Sequence, residues 1–319
     1  MRAVLAVVMA ALCFSTTGTA RALADVDASS LAIGAARILI GGGVLGLLAL
    51  ISRSRVVRPL PPDPAKVAGL PCSRRSSAEH RWPSWTLVGL GAAGVLAYQP
   101  AFFLGTGLNG VAVGTVVALG STPVLTGVIG GVVQRRLPSS RWMVATALAI
   151  AGVVLVSGLL SPSAAGGVRP LGVLASVGAG ASYAVSTLAT KALLSRSWSS
   201  SDAIGAVFGT AAAVSLPVLL IGGTSWLAGP NGLLLALWLG LVTTVLAYTL
   251  FGWGLARLPA TTVATLSLAE PLSATLLGVL VLGERLTIAS GAGLLIVAAG
   301  LALLAVPSRT EAADVPAPA

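Results

Sequence analysis

Charge is what this chain has least of. Asp, Glu, Lys and Arg together make up 9% of its 319 residues, against roughly a quarter in soluble domains. That excludes an ordinary water-soluble enzyme or nucleic-acid binder. There are two cysteines, Cys13 in an apolar run and Cys72 in a basic stretch, and one histidine, His80. They supply neither a disulfide framework nor metal-ligand spacing, so no metal is expected. A Gly-Lys-Ser/Thr phosphate loop is missing, which argues against ATP-driven transport. No apolar run carries two His, Cys or carboxylate groups, and His80 lies outside the runs, so no base stands near an intramembrane nucleophile. No enzyme and no cofactor are expected.

What the chain has instead is apolar length. Apolar residues reach 56%, mean hydropathy is +0.97, and thirty-nine glycines are spread throughout, the small-residue bias of helices that pack against one another in lipid. A bilayer core of about 30 Å takes about 20 helical residues. By that ruler ten runs stand out, near 3–21, 31–51, 84–104, 110–133, 142–160, 171–190, 203–222, 231–252, 260–282 and 287–306. Alternating segments of about ten residues, the mark of a membrane β-barrel, are not seen. The expected fold is all-α, a polytopic membrane protein of ten transmembrane helices. The first run has a second reading, because Arg2, an apolar stretch and Thr19-Ala20-Arg21-Ala22 also fit a secretory signal peptide.

The net charge of +10 reports topology, not nucleic acid. With both termini in the cytoplasm, the inner side receives Arg2, the seven basic residues of 52–83, Arg135, Arg136, Arg141, Lys191, Arg196, Arg257 and Arg309. That is fifteen of the nineteen basic residues. Arg21, Arg169 and Arg285 fall outside, and Arg37 lies within a span. This positive-inside bias predicts an inner-membrane, multi-pass protein with cytoplasmic termini. The 52–83 segment reads as a solvated cytoplasmic loop.

The runs divide near residue 165 into two sets of five. Aligning Pro123 with Pro271 pairs Gly130 with Gly278 and Ala151-Gly152 with Ala299-Gly300, and Tyr98 falls near Tyr248. Five is odd, so a second copy enters the membrane inverted. Inverted repeats are a signature of secondary transporters, whose two copies exchange conformations around one site. The expected organisation is a first five-helix repeat over 1–165, a second over 166–307 and a disordered cytoplasmic tail over 308–319.

The stretch Ala269-Glu270-Pro271-Leu272 through Gly283-Glu284-Arg285-Leu286-Thr287, followed by a helix with Ala299-Gly300, resembles the EamA-like group of the drug/metabolite transporter superfamily. Ser121-Thr122-Pro123 with Gln134-Arg135-Arg136-Leu137 is similar to the same element in the first half, and Leu31-Ala32-Ile33-Gly34-Ala35-Ala36-Arg37 to the family's second-helix segment. The resemblance implies ten helices in two inverted repeats, cytoplasmic termini, and export or exchange of a small organic solute. Arg135 stands where the second half has Glu284, so the two corners are not expected to do equal work.

Polar groups at membrane depth are the candidate solute site. Glu270 lies about ten residues into its span, where a charged carboxylate costs on the order of 2.5–3.5 kcal/mol unless it faces a cavity, pairs or is protonated. It reads as a proton-coupling or solute-binding group, or as a support for the backbone freed by Pro271. Arg37, about 9 Å inside its span at 1.5 Å per residue, either snorkels and pairs structurally or reaches a cavity and attracts an anionic group. Tyr98, Gln99, Tyr183 and Tyr248 suit a cavity for an amphipathic solute, with interfacial or packing roles as the alternative; Trp253, near a boundary, suits it less. Ser121, Thr122 and Thr249 offer hydroxyls that compete with local carbonyls. Pro123 and Pro271 are expected to kink corresponding spans. The expected function is a secondary active transporter working by alternating access, with a passive facilitator or channel as the alternative. Expected partners are a small organic solute and the bilayer, with protons and a second copy of the chain left open.

Overall fold

The computed structural model describes residues 1–55, 83–134, 138–156, 169–282 and 288–305, all as helices and short connections. The helices are α1 (Arg2–Ala24), α2 (Ser30–Arg55), α3 (Ser84–Gln134), α4 (Ser140–Val156), α5 (Pro170–Ser195) and α6 (Ser200–Gly222). They continue with α7 (Pro230–Arg257), α8 (Ala260–Leu266), α9 (Ala269–Leu282) and α10 (Ile288–Ala305). Eight segments are long and apolar enough to cross a membrane: α1, α2, two limbs of α3, α5, α6, α7, and α8 with α9. Two shorter apolar helices, Ser140–Leu155 and Gly291–Leu304, occupy the positions of the fifth and tenth runs. A helix is the natural state for such sequence, because lipid offers no partner for a bare N–H or C=O. The Gly283-to-Thr287 corner, Arg135, Arg136, His80, Cys72 and the tail after 305 lie outside the described residues.

Local chemistry sets the ends. Ser199 accepts from the Asp202 amide at 3.0 Å and starts α6, while Pro170 and Pro230 open α5 and α7 at positions where no intrahelical N–H is required. The 51-residue α3 is too long for one crossing. A Cβ on Gly114 would lie 2.7 Å from the Thr106 Cα, eight residues back, where a straight helix would separate them by about 12 Å. The helix therefore doubles back between Ser84–Asn109 and Val113–Val133, its two membrane limbs.

Close pairs are built on glycine. Where α2 meets α6, Gly46 and Gly209 face each other, and a Cβ on either would come 3.1 Å from the other's Cα; one on Gly42 would lie 2.4 Å from the Phe208 carbonyl oxygen. Gly42 and Gly46 are four apart, as are Gly205 and Gly209, the spacing that lets membrane helices approach backbone to backbone. On α5, Gly180 admits Ser121 and Ala118 of the second α3 limb, and Gly94 of the first limb admits Ser182. Gly152 of α4 and Gly300 of α10 do the same for that pair. Helix α1 packs on α7 and α9, burying Val7, Ala10 and Phe14 beside Ala247, Phe251 and Leu255.

Replacing Gly42 by valine is expected to lower the thermal stability of purified protein in detergent by about 1–3 kcal/mol, the range for overpacking. Valine at Gly43, whose Cβ direction is open, should change it little. Thermal unfolding of the two variants side by side checks this.

Candidate functional site

The site grows from two departures from regular helix, both in the second half. The first is the stretch Trp238–Leu246 inside α7, which runs in π register, a feature often found at functional positions. The second is the interruption at Ser267-Leu268 between α8 and α9. Pro271 has no N–H to give the Ser267 carbonyl, its partner in an α-helix. That carbonyl accepts instead from the Glu270 amide at 2.9 Å, which tightens the turn. Glu270 thereby falls in the first turn of α9, where the helix dipole favours an anion. Helix α3, by contrast, runs through Pro123 without interruption.

These features border a central cavity of about 70 Å³. It is lined by Arg37 of α2, Tyr98 and Gln99 of α3, Tyr183, Ser186, Thr187 and Thr190 of α5, Tyr248 of α7 and Glu270 of α9, with Phe14, Phe208 and Phe251 among its apolar walls. All three tyrosines of the chain are there. Their rings interlock: Tyr248 lies 4.1 Å from Phe208 and 5.0 Å from Phe14, and Tyr183 lies 6.2 Å from Tyr98 and 6.1 Å from Phe251, centroid to centroid. Such edge and tilted contacts favour a rigid wall. Gly34 gives the Gln99 amide its space, since a Cβ there would come 3.2 Å from the Gln99 side chain.

The two ionisable groups are held differently. Arg37 donates from Nε to Thr244 Oγ1 and from Nη2 to the Thr243 carbonyl, each at 3.1 Å. The Glu270 carboxylate makes no hydrogen bond or ion pair with a described residue and faces the cavity. The Tyr183 hydroxyl lies 3.4 Å from Ser267 Oγ, which donates to the Val263 carbonyl at 3.0 Å. Among the described residues no three His, Cys, Asp or Glu side chains converge. The arrangement offers charge, hydroxyls and ring faces to an organic solute.

Six of the eight candidate residues thus meet in one place: Arg37, Tyr98, Gln99, Tyr183, Tyr248 and Glu270. Ser121 and Thr122 are not part of the lining. Both donate to the Ala118 carbonyl, at 3.1 and 2.9 Å, and the second α3 limb presses that face against Gly180. Thr249 is exposed and bonds the Val245 carbonyl; Trp253 lies under the Arg257 guanidinium, 3.8 Å from its ring centroid. Sequence reasoning passed over Thr243 and Thr244, both fully buried. Their tandem hydroxyls were visible, but nothing in the sequence pairs them with a residue 206 positions away.

The EamA-like transporter family model matches residues 1–158 and again 170–306. The chain belongs to the EamA-like transporter family. A Bacillus subtilis (strain 168) relative described as an uncharacterized transporter, YwfM, is 38% identical over 305 residues, covering 96% of this chain and 94% of its own. A crystal structure with 21% identity superposes with a TM-score of 0.72 over 94% of this chain and 95% of that chain, a likeness of fold. With its apolar helices, this EamA-like chain is a multi-pass membrane protein of a transporter family.

Restoring the missing amide with Pro271→Ala is expected to close the interruption at Ser267-Leu268. Hydrogen exchange of the amides over 267–271 should slow by about tenfold or more, with a small gain in thermal stability. Unchanged exchange rates there would show that Pro271 does not cause the break.

Proposed function

We propose that this protein is a secondary transporter that moves a small organic solute by alternating access between two inverted repeats of five helices. The observation that carries the reading is an exchange symmetry in the packing. In this reading α4 and α10 are the fifth and tenth spans, and α8 with α9 form the ninth. Helix α2 then packs on its counterpart α6, and α4 on its counterpart α10; α1 packs on α7 and α9, as α5 packs on the two limbs of α3. A twofold axis in the membrane plane produces that exchange of partners. The double match of one family model supports the same division.

The cavity fits this scheme. It is lined by the first four spans of each half, while α4 and α10 contribute nothing to it. Polar and charged residues from both halves meet at the interface, where transporters of this architecture bind solute. A volume of about 70 Å³ holds a few waters but falls short of the roughly 300–1,000 Å³ of a typical ligand site. On this reading a solute of ordinary ligand size enters only when the halves part. On the cytoplasmic side of the proposed topology, Lys191 of α5 donates to the Leu255 and Leu258 carbonyls at 2.6 and 2.8 Å. On the outer side, Asn109 exchanges two hydrogen bonds with the Arg169 backbone at 2.7 and 3.0 Å. Of these, the Asn109–Arg169 contact joins the two halves, and the Lys191 contact lies within the second.

In this reading both termini are cytoplasmic, which the charge bias supports. Glu270, unpartnered at the cavity, is the group proposed to couple solute movement to protons. The alternative, a passive facilitator, predicts no exchange coupling. In proteoliposomes loaded with any solute that stabilises the purified protein, external uptake of the same labelled solute is expected to accelerate. Uptake indifferent to internal solute would overturn the carrier reading. A Glu270→Gln variant should remain folded and show flattened pH dependence of exchange; an unchanged pH profile would remove the coupling role.

A further inference from the structure

One seam between the halves leads away from the cavity. Along it Gly94 of the first α3 limb meets Ser182 of α5, Gly105 meets Ser176 and Asn109 meets Gly172, so the two helices run antiparallel. On α3, Tyr98, Phe102, Gly105 and Asn109 recur at helical spacing and share a face; on α5, Gly172, Ser176 and Tyr183 share the facing one. Tyr98 and Tyr183 line the cavity with their rings 6.2 Å apart, and Phe102 stacks on Tyr98 at 5.5 Å. Ser176 lies seven residues from Tyr183, about 10 Å along the helix, toward the outer end of the proposed topology. There the helices meet at glycine distance. A Cβ on Gly105 would run into the Ser176 hydroxyl, and one on Gly172 would lie 2.5 Å from Asn109 Nδ2 and 2.9 Å from Leu108 Cβ.

Two opposing features meet at this closure. Asn109, at the end of the limb, grips the backbone of Arg169, the residue that caps α5. Its Nδ2 donates to the Arg169 carbonyl at 3.0 Å and its Oδ1 accepts from the Arg169 amide at 2.7 Å. Against that grip stands Ser176, fully buried, whose hydroxyl has no hydrogen-bond partner. Ser182 and Thr190 on the same helix give theirs to the carbonyl four residues back; Ser176, covered by Gly105, does not. A buried hydroxyl without a partner favours any state that wets or pairs it.

We propose that the α3–α5 seam is the outer gate of the pathway, with Asn109 as the clasp that holds it shut and the Ser176 hydroxyl as the group that biases it open. When the end of the limb leaves Gly172, the face of α5 that carries Ser176 and Tyr183 is uncovered. Water then reaches the hydroxyl, and the cavity joins the outer side. Small residues keep the closed seam tight, and a packed seam of this kind is either seated or parted, with no continuous range between. The inference rests on the reading of the cavity as the site of an alternating-access carrier, so opening is measured separately from each side and apart from transport.

The reporter is Ser186→Cys in the cavity lining, in full-length protein whose Cys13 and Cys72 are replaced by alanine. The probe is a charged, membrane-impermeant methanethiosulfonate added to the outer face of membrane vesicles, and its labelling rate follows the fraction of molecules open to that face. Asn109→Ala is expected to raise the rate about fivefold or more, the factor for losing two neutral hydrogen bonds. Where that variant does not fold, Gly172→Ala, whose Cβ pushes Asn109 off α5, should do the same. Ser176→Ala, which removes the unpaired hydroxyl, should lower the rate about fivefold. No acceleration in the Asn109 and Gly172 variants, or acceleration from the cytoplasmic face alone, overturns the proposal, as does unchanged or faster labelling in Ser176→Ala. If labelling from outside responds as expected while labelling from the cytoplasmic face does not fall in step, the alternating-access reading fails and the outer gate stands.

Discussion

In a bilayer every backbone amide and carbonyl has to find its partner inside the protein, and this requirement governs the whole molecule. It makes helices of the apolar runs and confines irregular backbone to places where other groups can complete it. Both irregular stretches of α7 to α9 obey it. The π stretch hands a carbonyl to Arg37, and the Ser267 carbonyl, deprived of its usual donor by Pro271, takes the Glu270 amide. Each irregularity therefore delivers a charged residue to the same cavity. Helix α3 of the first half has no π stretch and no break at Pro123.

Packing in this setting relies on small residues. Between helices in lipid, burial gains little from excluding water, so close van der Waals contact and hydroxyl bonding do the holding. Gly42, Gly46, Gly205 and Gly209 bring α2 and α6 together, and that pair sits directly behind Arg37 and Phe208 in the cavity wall. Buried hydroxyls mostly return to their own helix: Thr126, Thr190, Ser215 and Ser273 all bond the carbonyl four residues back. The Thr146–Thr265 pair, 2.8 Å apart, is a cross-helix exception joining α4 to α8. Ser121 and Thr122 fall on the structural side because both donate to the Ala118 carbonyl and the limb that carries them presses that face against Gly180.

Much of this was legible in the chain. Apolar length located most described helices within a few residues, because the bilayer sets a ruler that composition alone can meet, but it showed neither the continuity of α3 nor the break between α8 and α9. The pairing of Pro123 with Pro271 pointed to duplication, and rare polar residues at depth pointed to Arg37, Tyr98, Gln99, Tyr183, Tyr248 and Glu270. Rarity was the working signal, since a polar group in lipid needs a reason. Thr243 and Thr244 gave no such signal, for hydroxyls are common in membrane helices and usually satisfy themselves.

Sequence by itself determined that the chain is helical, crosses the membrane many times and carries a few charges at depth, since these follow from transfer energies that each segment meets on its own. Only the tertiary structure decided that those charges share one cavity, that Arg37 turns to a π stretch on α7 and not to Glu270, and that prolines at matching positions have unlike effects. Those outcomes depend on contacts between residues some two hundred positions apart and on backbone register, and neither has a signature in local composition.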